Sequence, residues 1–172
     1  TGKGSVCSFL DAVLQKAGKR TARFTSPHLV RVTERFSFDG QEADDALFLE
    51  AFEVVKASYV HFEQEGLGHP TYFEYLFLMF MWMVRRKKPE YVILETGLGG
   101  RLDATNCIEH PVLTVITSIS LDHMEYLGGT VTQIAGEKAG ILKKNMPVVY
   151  DDTDAEASAV IRNRASQLSC PA

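Results

Sequence analysis

The chain opens Thr1-Gly2-Lys3-Gly4-Ser5, directly before residues with helical apolar spacing. Glycines let backbone N–H groups approach an anion, a helix N-terminus attracts it, and Lys3 adds positive charge, which together is phosphate-loop chemistry. The upstream glycine of that pattern is missing, and Gly4 stands where Ser or Thr would ordinarily ligate magnesium, so these residues alone leave a flexible lysine turn as the alternative. Glu95 follows the apolar run Tyr91-Val92-Ile93-Leu94 and precedes Gly97, Gly99 and Gly100. A carboxylate at a strand end beside approachable backbone suits a metal or a substrate, the plainer alternative being a solvated acid next to a turn. Asp122 and His123 follow another candidate strand, where a single histidine more commonly bonds to backbone. Lys138, in Gly136-Glu137-Lys138-Ala139-Gly140, reads by itself as an exposed helix residue.

Alternating helices and strands must position these groups. Val6, Phe9, Leu10, Val13, Leu14 and Ala17 recur at helical spacing before Gly18, residues 21–25 suit a strand, and residues 34–40 suit a hairpin or exposed loop. Asp44-Asp45 cap one long helix whose shared face is Leu49, Phe52, Val55, Tyr59 and Phe62, ending at Gly66. A second helix covers residues 71–86, and its stripe of Phe77, Met79, Phe80, Met81 and Trp82 is core packing. The run 91–94 reads as a central parallel strand covered on both faces. Strands over 113–119 and 147–150 and helices over 131–142 and 154–168 complete the pattern. The expected fold class is α/β: an open, mostly parallel sheet with flanking helices, whose ligands gather at the strands' carboxyl ends, and no domain boundary is evident.

The 172 residues are 45% hydrophobic and 23% charged, which excludes disorder and coiled coil. Eighteen Lys and Arg against 22 Asp and Glu leave a net charge of −4 without a basic block, so nucleic acid is not an expected partner. No apolar run is long enough to cross a bilayer, and no membrane partner is expected. Cys7, Cys107 and Cys170 form no disulfide framework, as suits a reducing, cytoplasmic setting; Cys7 and Cys107 are expected to be packed and inert. The first residues read as the middle of a loop and the last as a stop after a helix, so truncation at both ends is expected.

Four segments, taken with the lysine loop, resemble one family. They are Thr25-Ser26-Pro27-His28-Leu29, Glu95-Thr96-Gly97-Leu98-Gly99-Gly100-Arg101-Leu102-Asp103-Ala104-Thr105-Asn106, Ser118-Ile119-Ser120-Leu121-Asp122-His123-Met124-Glu125-Tyr126-Leu127-Gly128, and Glu137-Lys138-Ala139-Gly140-Ile141. Their order and spacing resemble the folylpolyglutamate and dihydrofolate synthases of the Mur ligase superfamily, across nearly the whole chain.

The resemblance implies a P-loop NTPase-like fold of the Mur ligase central-domain type. Residues 1–172 would form part of an ATP- and pterin-binding domain, with a C-terminal glutamate ligase domain outside them. It further implies an ATP-dependent amide ligase that joins L-glutamate to dihydropteroate, to a reduced folate, or to both, through an acyl phosphate, and that is a monomer. By the same resemblance, Gly2, Lys3, Gly4 and Ser5 hold ATP phosphates, and Ser26, Glu95 and His123 hold Mg2+. Lys138 is carbamylated, Lys3, Lys138 and His123 are catalytic, and Thr71, Phe73, Asp103 and Ala104 surround the pterin. A carbamate turns an amine into a hard oxygen ligand, and Ser26 takes the task of the hydroxyl that Gly4 lacks, whereas a histidine is an unusual partner for magnesium. Residues 26–35 resemble a mobile loop that closes over the folate. A muramyl-peptide ligase would share the loop and metal logic without Ser26-Pro27-His28 and Asp103-Ala104, and a non-catalytic scaffold domain would bind nucleotide but no pterin.

Overall fold

The computed structural model describes residues 2–121 and 124–172, which form two compact units, one of Gly4–Glu95 and one of Thr96–Ala172 together with Gly2 and Lys3.

In the first unit a four-stranded sheet has the order β3-β2-β1-β4, with β1 Thr21–Phe24, β2 Phe36–Phe38, β3 Gln41–Glu42 and β4 Tyr91–Leu94. β1 runs parallel to β4 with Thr21 opposite Tyr91 and Phe24 opposite Leu94, and antiparallel to β2 with Phe24 opposite Phe36. The hairpin anticipated at residues 34–40 is β2–β3, turning at Asp39-Gly40, which both take positive φ. Such a pair matches the right-handed twist of its strands.

Helix α4, Tyr72–Lys87, supplies most of the core by burying Leu76, Phe77, Met79, Phe80 and Met83. It begins with a capping box in which Thr71 and Glu74 satisfy each other's backbone N–H. The Phe24 ring lies 5.2 Å from Phe80, 5.6 Å from Phe36 and 5.8 Å from Phe77, so the strand that leads to Ser26 is anchored in an aromatic cluster.

Two helical faces differ from those expected. On α1, Lys3–Lys16, the buried residues are Cys7 and Asp11, while Phe9 is 71% and Val13 67% exposed. The inward face is polar because the Asp11 carboxylate accepts from Gln15 Nε2 at 2.7 Å, Thr21 Oγ1 at 2.6 Å and Arg23 Nε at 3.1 Å. That charged, multiply bonded group ties α1 to β1, and apolar periodicity does not report it. The helix expected to run to Gly66 is two, α2 Asp45–Ala57 and α3 Tyr59–Gln64, and α2 buries Leu47, Ala51 and Val55 rather than Leu49 and Phe52. Asp44 caps α2, accepting from Leu47 N–H at 2.8 Å.

β4 is also not central within its sheet: among the described residues it lies at the edge beside β1, and Tyr91 and Val92 are exposed. Its four apolar residues show the β-branched composition of a buried strand, but composition does not count neighbours.

The second unit holds a parallel pair, β5 Thr114–Ile116 and β6 Val148–Tyr150. Its helices are α5 Met124–Leu127, α6 Val131–Ala139 and α7 Ala155–Gln167. Ile116, Ala139, Leu142, Val148, Ile161 and Ala165 make its core. Thr130 and Asp154 cap α6 and α7 through their side chains. Parallel strand pairs with flanking helices are thus present as expected, with the antiparallel hairpin as the exception.

Cys7 is packed as expected, but Cys107 is exposed, because it ends a short 3-10 turn at Ala104–Cys107 on the surface. Among the described residues no helix is long and apolar enough to cross a membrane.

Phe80 is fully buried against three other phenylalanine rings. Phe80→Ala is expected to lower unfolding free energy by about 3–5 kcal/mol, read from a urea denaturation midpoint; a loss below about 1 kcal/mol would remove this cluster from the core.

Candidate active site

Glu95 comes directly after β4, and its amide donates to the Phe24 carbonyl at 2.9 Å, extending the parallel ladder by one residue. Its side chain is therefore fixed by the sheet. The residue is only 6% exposed, and its Oε2 accepts the Ser26 N–H at 3.1 Å. Both carboxylate oxygens lie within 3.6 Å of the point where a Cβ on Gly4 would stand. A buried carboxylate thus rests on the first turn of α1, where helical N–H groups favour negative charge. Ser26 follows Thr25, whose amide donates to the Arg35 carbonyl at 3.1 Å, and the Ser26-Pro27 peptide is cis.

A carboxylate and a neighbouring hydroxyl-bearing residue are hard oxygen donors of the type magnesium takes. Among the described residues no group of three or more His, Cys, Asp or Glu side chains is arranged to hold a metal. His123, expected as a ligand, lies outside the described residues, as does Asp122.

The residues assigned to a pterin have local tasks. Thr71 is the N-cap of α4: its Oγ1 donates to Glu74 Oε2 at 2.8 Å, and Glu74 N–H returns a bond to Oγ1 at 3.3 Å. Phe73 is half-buried, its ring 5.6 Å from that of Phe24.

The loop between β1 and β2 is built by two residues that the sequence reading gave no role. The Glu34 carboxylate accepts three successive amides, from Arg31 at 2.6 Å, Leu29 at 2.8 Å and Val30 at 2.9 Å. Those bonds, led by the one from Arg31, hold its carboxyl below the usual glutamate range. Arg35 is only 9% exposed; its Nε donates to His28 Nδ1 at 2.9 Å and its guanidinium lies 5.6 Å from the centroid of the Tyr72 ring. The available signal was a Glu-Arg pair closing a segment that otherwise reads as irregular and polar.

In the second unit, Asp103 organises the glycine-rich turn. One of its oxygens accepts the N–H groups of Gly97 at 2.9 Å and Leu98 at 3.0 Å, and the other accepts Thr105 N–H at 3.0 Å and Thr105 Oγ1 at 2.6 Å. Four donors fill the four lone-pair positions of a carboxylate. Ala104 starts the 3-10 turn that Asp103 caps. Lys138 sits in the last turn of α6, half-buried, beside Glu137, whose Oε1 lies 3.0 Å from Arg101 Nη2. Of the two glycines that flank it, Gly140 is a place of close approach: a Cβ there would stand 2.4 Å from Arg101 Cβ. Gly2 has φ +79°, a left-handed conformation suited to glycine, and α1 begins at Lys3 immediately after it. The structure therefore gathers Gly4, Ser26 and Glu95 in one unit and Asp103 and its glycine turn in the other.

Helices around parallel strands, with a buried acid at a strand end over a glycine-started helix, define an α/β fold of the P-loop NTPase-like, Mur ligase type. Over these residues the chain is similar to folylpolyglutamate and dihydrofolate synthases. It is 43% identical to the dihydrofolate synthase/folylpolyglutamate synthase of Bacillus subtilis over 171 residues, covering 99% of this chain and 40% of that protein. An FPGS–AMPPCP–folate complex superposes with a TM-score of 0.94 at 33% identity, over 99% of this chain and 42% of the other. The bifunctional folylpolyglutamate synthase/dihydrofolate synthase of Yersinia pestis, complexed with AMPPNP and Mn ion, superposes at 0.88 with 38% identity, over 99% of this chain and 40% of its own. No protein-family model matches the chain. The chain thus spans about two-fifths of the length of these relatives.

Gly140 and Gly136 make a matched pair. Gly140→Ala is expected to destabilise by about 1–3 kcal/mol through the clash with Arg101. Gly136→Ala, where nothing lies within 4 Å of the added methyl, should stabilise by about 0.5–1 kcal/mol. Thermal melts of the two variants check both signs.

Proposed function

We propose that this chain is the ATP- and pterin-binding part of an ATP- and Mg2+-dependent ligase that adds L-glutamate to dihydropteroate, to folyl-glutamates, or to both. The observation that carries the reading is the buried Glu95 carboxylate, bonded to Ser26 and resting on Gly4 at the start of α1. The likeness to ligases solved with an ATP analogue, and in one case with folate, supports it. A glutamate ligase domain outside residues 1–172, a monomeric state and a cytoplasmic location belong to the same proposal.

In the reaction, the acceptor's carboxylate oxygen attacks the γ-phosphorus of ATP and ADP departs, giving an acyl phosphate. The glutamate amine then attacks the acyl carbon, losing a proton, and phosphate leaves. Both reactants in the first step are anions, so the site must lower negative charge and hold the attacking oxygen in line. Gly2, Lys3, Gly4 and Ser5 present N–H groups and one ammonium to the phosphates. Glu95 and Ser26 would hold the divalent ion, with His123 and a carbamate on Lys138 as further ligands. Bound there, the cation supplies charge neutralisation of the triphosphate. Thr71, Phe73, Asp103 and Ala104 border the pterin: Phe73 stacks on its flat ring, and Asp103, its lone pairs already taken, shapes the glycine turn beside it.

Glutamate incorporation into dihydropteroate and into a reduced folate, measured with the full-length protein, tests the assignment. Lys3→Ala is expected to reduce acyl-phosphate formation by about 100-fold or more, the scale of losing a group aimed at transition-state charge; near-normal turnover would refute the role of the loop. Lys138→Ala should lose activity that bicarbonate cannot restore and small carboxylates partly rescue. Intact mass of the metal-loaded protein should carry one added carbon dioxide, and its absence would remove the carbamate.

A further inference from the structure

Arg35 is a charged side chain buried to nine-tenths, with no charged partner among the described residues. Its Nε is satisfied by His28 Nδ1, which accepts and so places the imidazole proton on Nε2, and one face of its guanidinium is turned to the Tyr72 ring. No group among the described residues accepts from its two Nη atoms or lies within ion-pair distance of it. The acids near it in the chain are committed elsewhere: Glu34 to the amides of residues 29–31, Glu42 to Thr33 Oγ1 at 3.1 Å, and Asp45 to Arg31 Nη2 at 2.6 Å. The outer N–H groups of this largely buried side chain therefore open to solvent with no acceptor among the described residues, and a guanidinium held in that way is suited to an anion supplied from outside.

Its location narrows the anion. The Arg35 carbonyl accepts from Thr25, the next residue, Ser26, donates to Glu95, and Tyr72 lies between Thr71 and Phe73 on the first turn of α4. A planar guanidinium presenting two free N–H edges between an aromatic ring and an imidazole matches a carboxylate in fork geometry. We propose that Arg35, held in place by His28 and Tyr72, grips a carboxylate of the pterin-bearing acceptor. This rests on the ligase reading above. Dihydropteroate carries only the reacting carboxylate, whereas dihydrofolate also carries a spectator α-carboxylate, so the two acceptors tell which is held.

The test uses the full-length protein with Arg35→Gln and Arg35→Lys. Equilibrium binding of dihydropteroate, of dihydrofolate and of a neutral pterin lacking any carboxylate is measured alongside the KM for ATP. Arg35→Gln should weaken carboxylated acceptors by about tenfold or more while leaving the neutral pterin and the ATP KM within about twofold, and Arg35→Lys should restore part of the loss. Equal loss for both acids assigns the reacting carboxylate, and loss for dihydrofolate alone assigns the spectator. Unchanged binding of both acids, or an equal loss for the neutral pterin, overturns the proposal, the second outcome making Arg35 a scaffold for the loop. Should Arg35→Gln not fold, the same comparison is made with Arg35→Lys, which keeps charge and loses the fork. Wild-type protein without glutamate-dependent ADP release would defeat the ligase reading, while the binding comparison would still decide for or against Arg35.

Discussion

Taking a carboxylate out of water raises its free energy steeply unless dipoles or charge replace the lost hydration, and Glu95 is the place where this chain accepts that demand. The parallel ladder between β1 and β4 continues into its amide, the Ser26 N–H bonds its side chain, and the first turn of α1 lies against it. Each of those supports depends on something more remote. Phe24 anchors β1 in the aromatic cluster, α4 supplies the rings that surround it, and the Asp11 network ties α1 to β1. The geometry around one acid is therefore the joint product of a strand register, an apolar core and a buried polar network.

Where sequence and structure agree, the signal was local. The cap at Asp44 follows from a short side-chain-to-backbone bond that nearby residues determine. The turn at Asp39-Gly40 and the placement of Glu95 at the end of an apolar run follow in the same way. What was not legible depends on long-range pairing. The inward face of α1 cannot be read from its apolar spacing, because Asp11 is stabilised by Thr21 and Arg23, ten and twelve residues away. β4 looks like a central strand because its side chains are apolar, yet strand neighbours are a property of topology. Residues 26–35 read as irregular because their order comes from Glu34 and Arg35 side chains bonding to backbone and to His28 rather than from a repeating pattern.

The candidate site divides along the same line. Gly4, Ser26 and Glu95 converge within one unit, and the resemblance to known ligases pointed to them before any geometry was known. Thr71, Phe73 and Asp103 carry folding duties of their own, so an observed position near a ligand would leave two effects to separate in any substitution there. Arg35 is the converse case: its stem is buried and its Nε bonded, while its outer N–H groups face solvent without an acceptor among the described residues.

The saturated carboxylate of Asp103 has a consequence for how the glycine turn meets a visitor. Gly97, Leu98 and Thr105 are all bonded to it by the folded chain itself. The freedom that Gly97 and Leu98 would otherwise surrender on association is thus already given up at folding, and a flat ring docked there, as proposed above, would meet a shelf fixed beforehand. Recognition at such a shelf should lose little conformational entropy, leaving discrimination to fit and desolvation rather than to ordering of the turn.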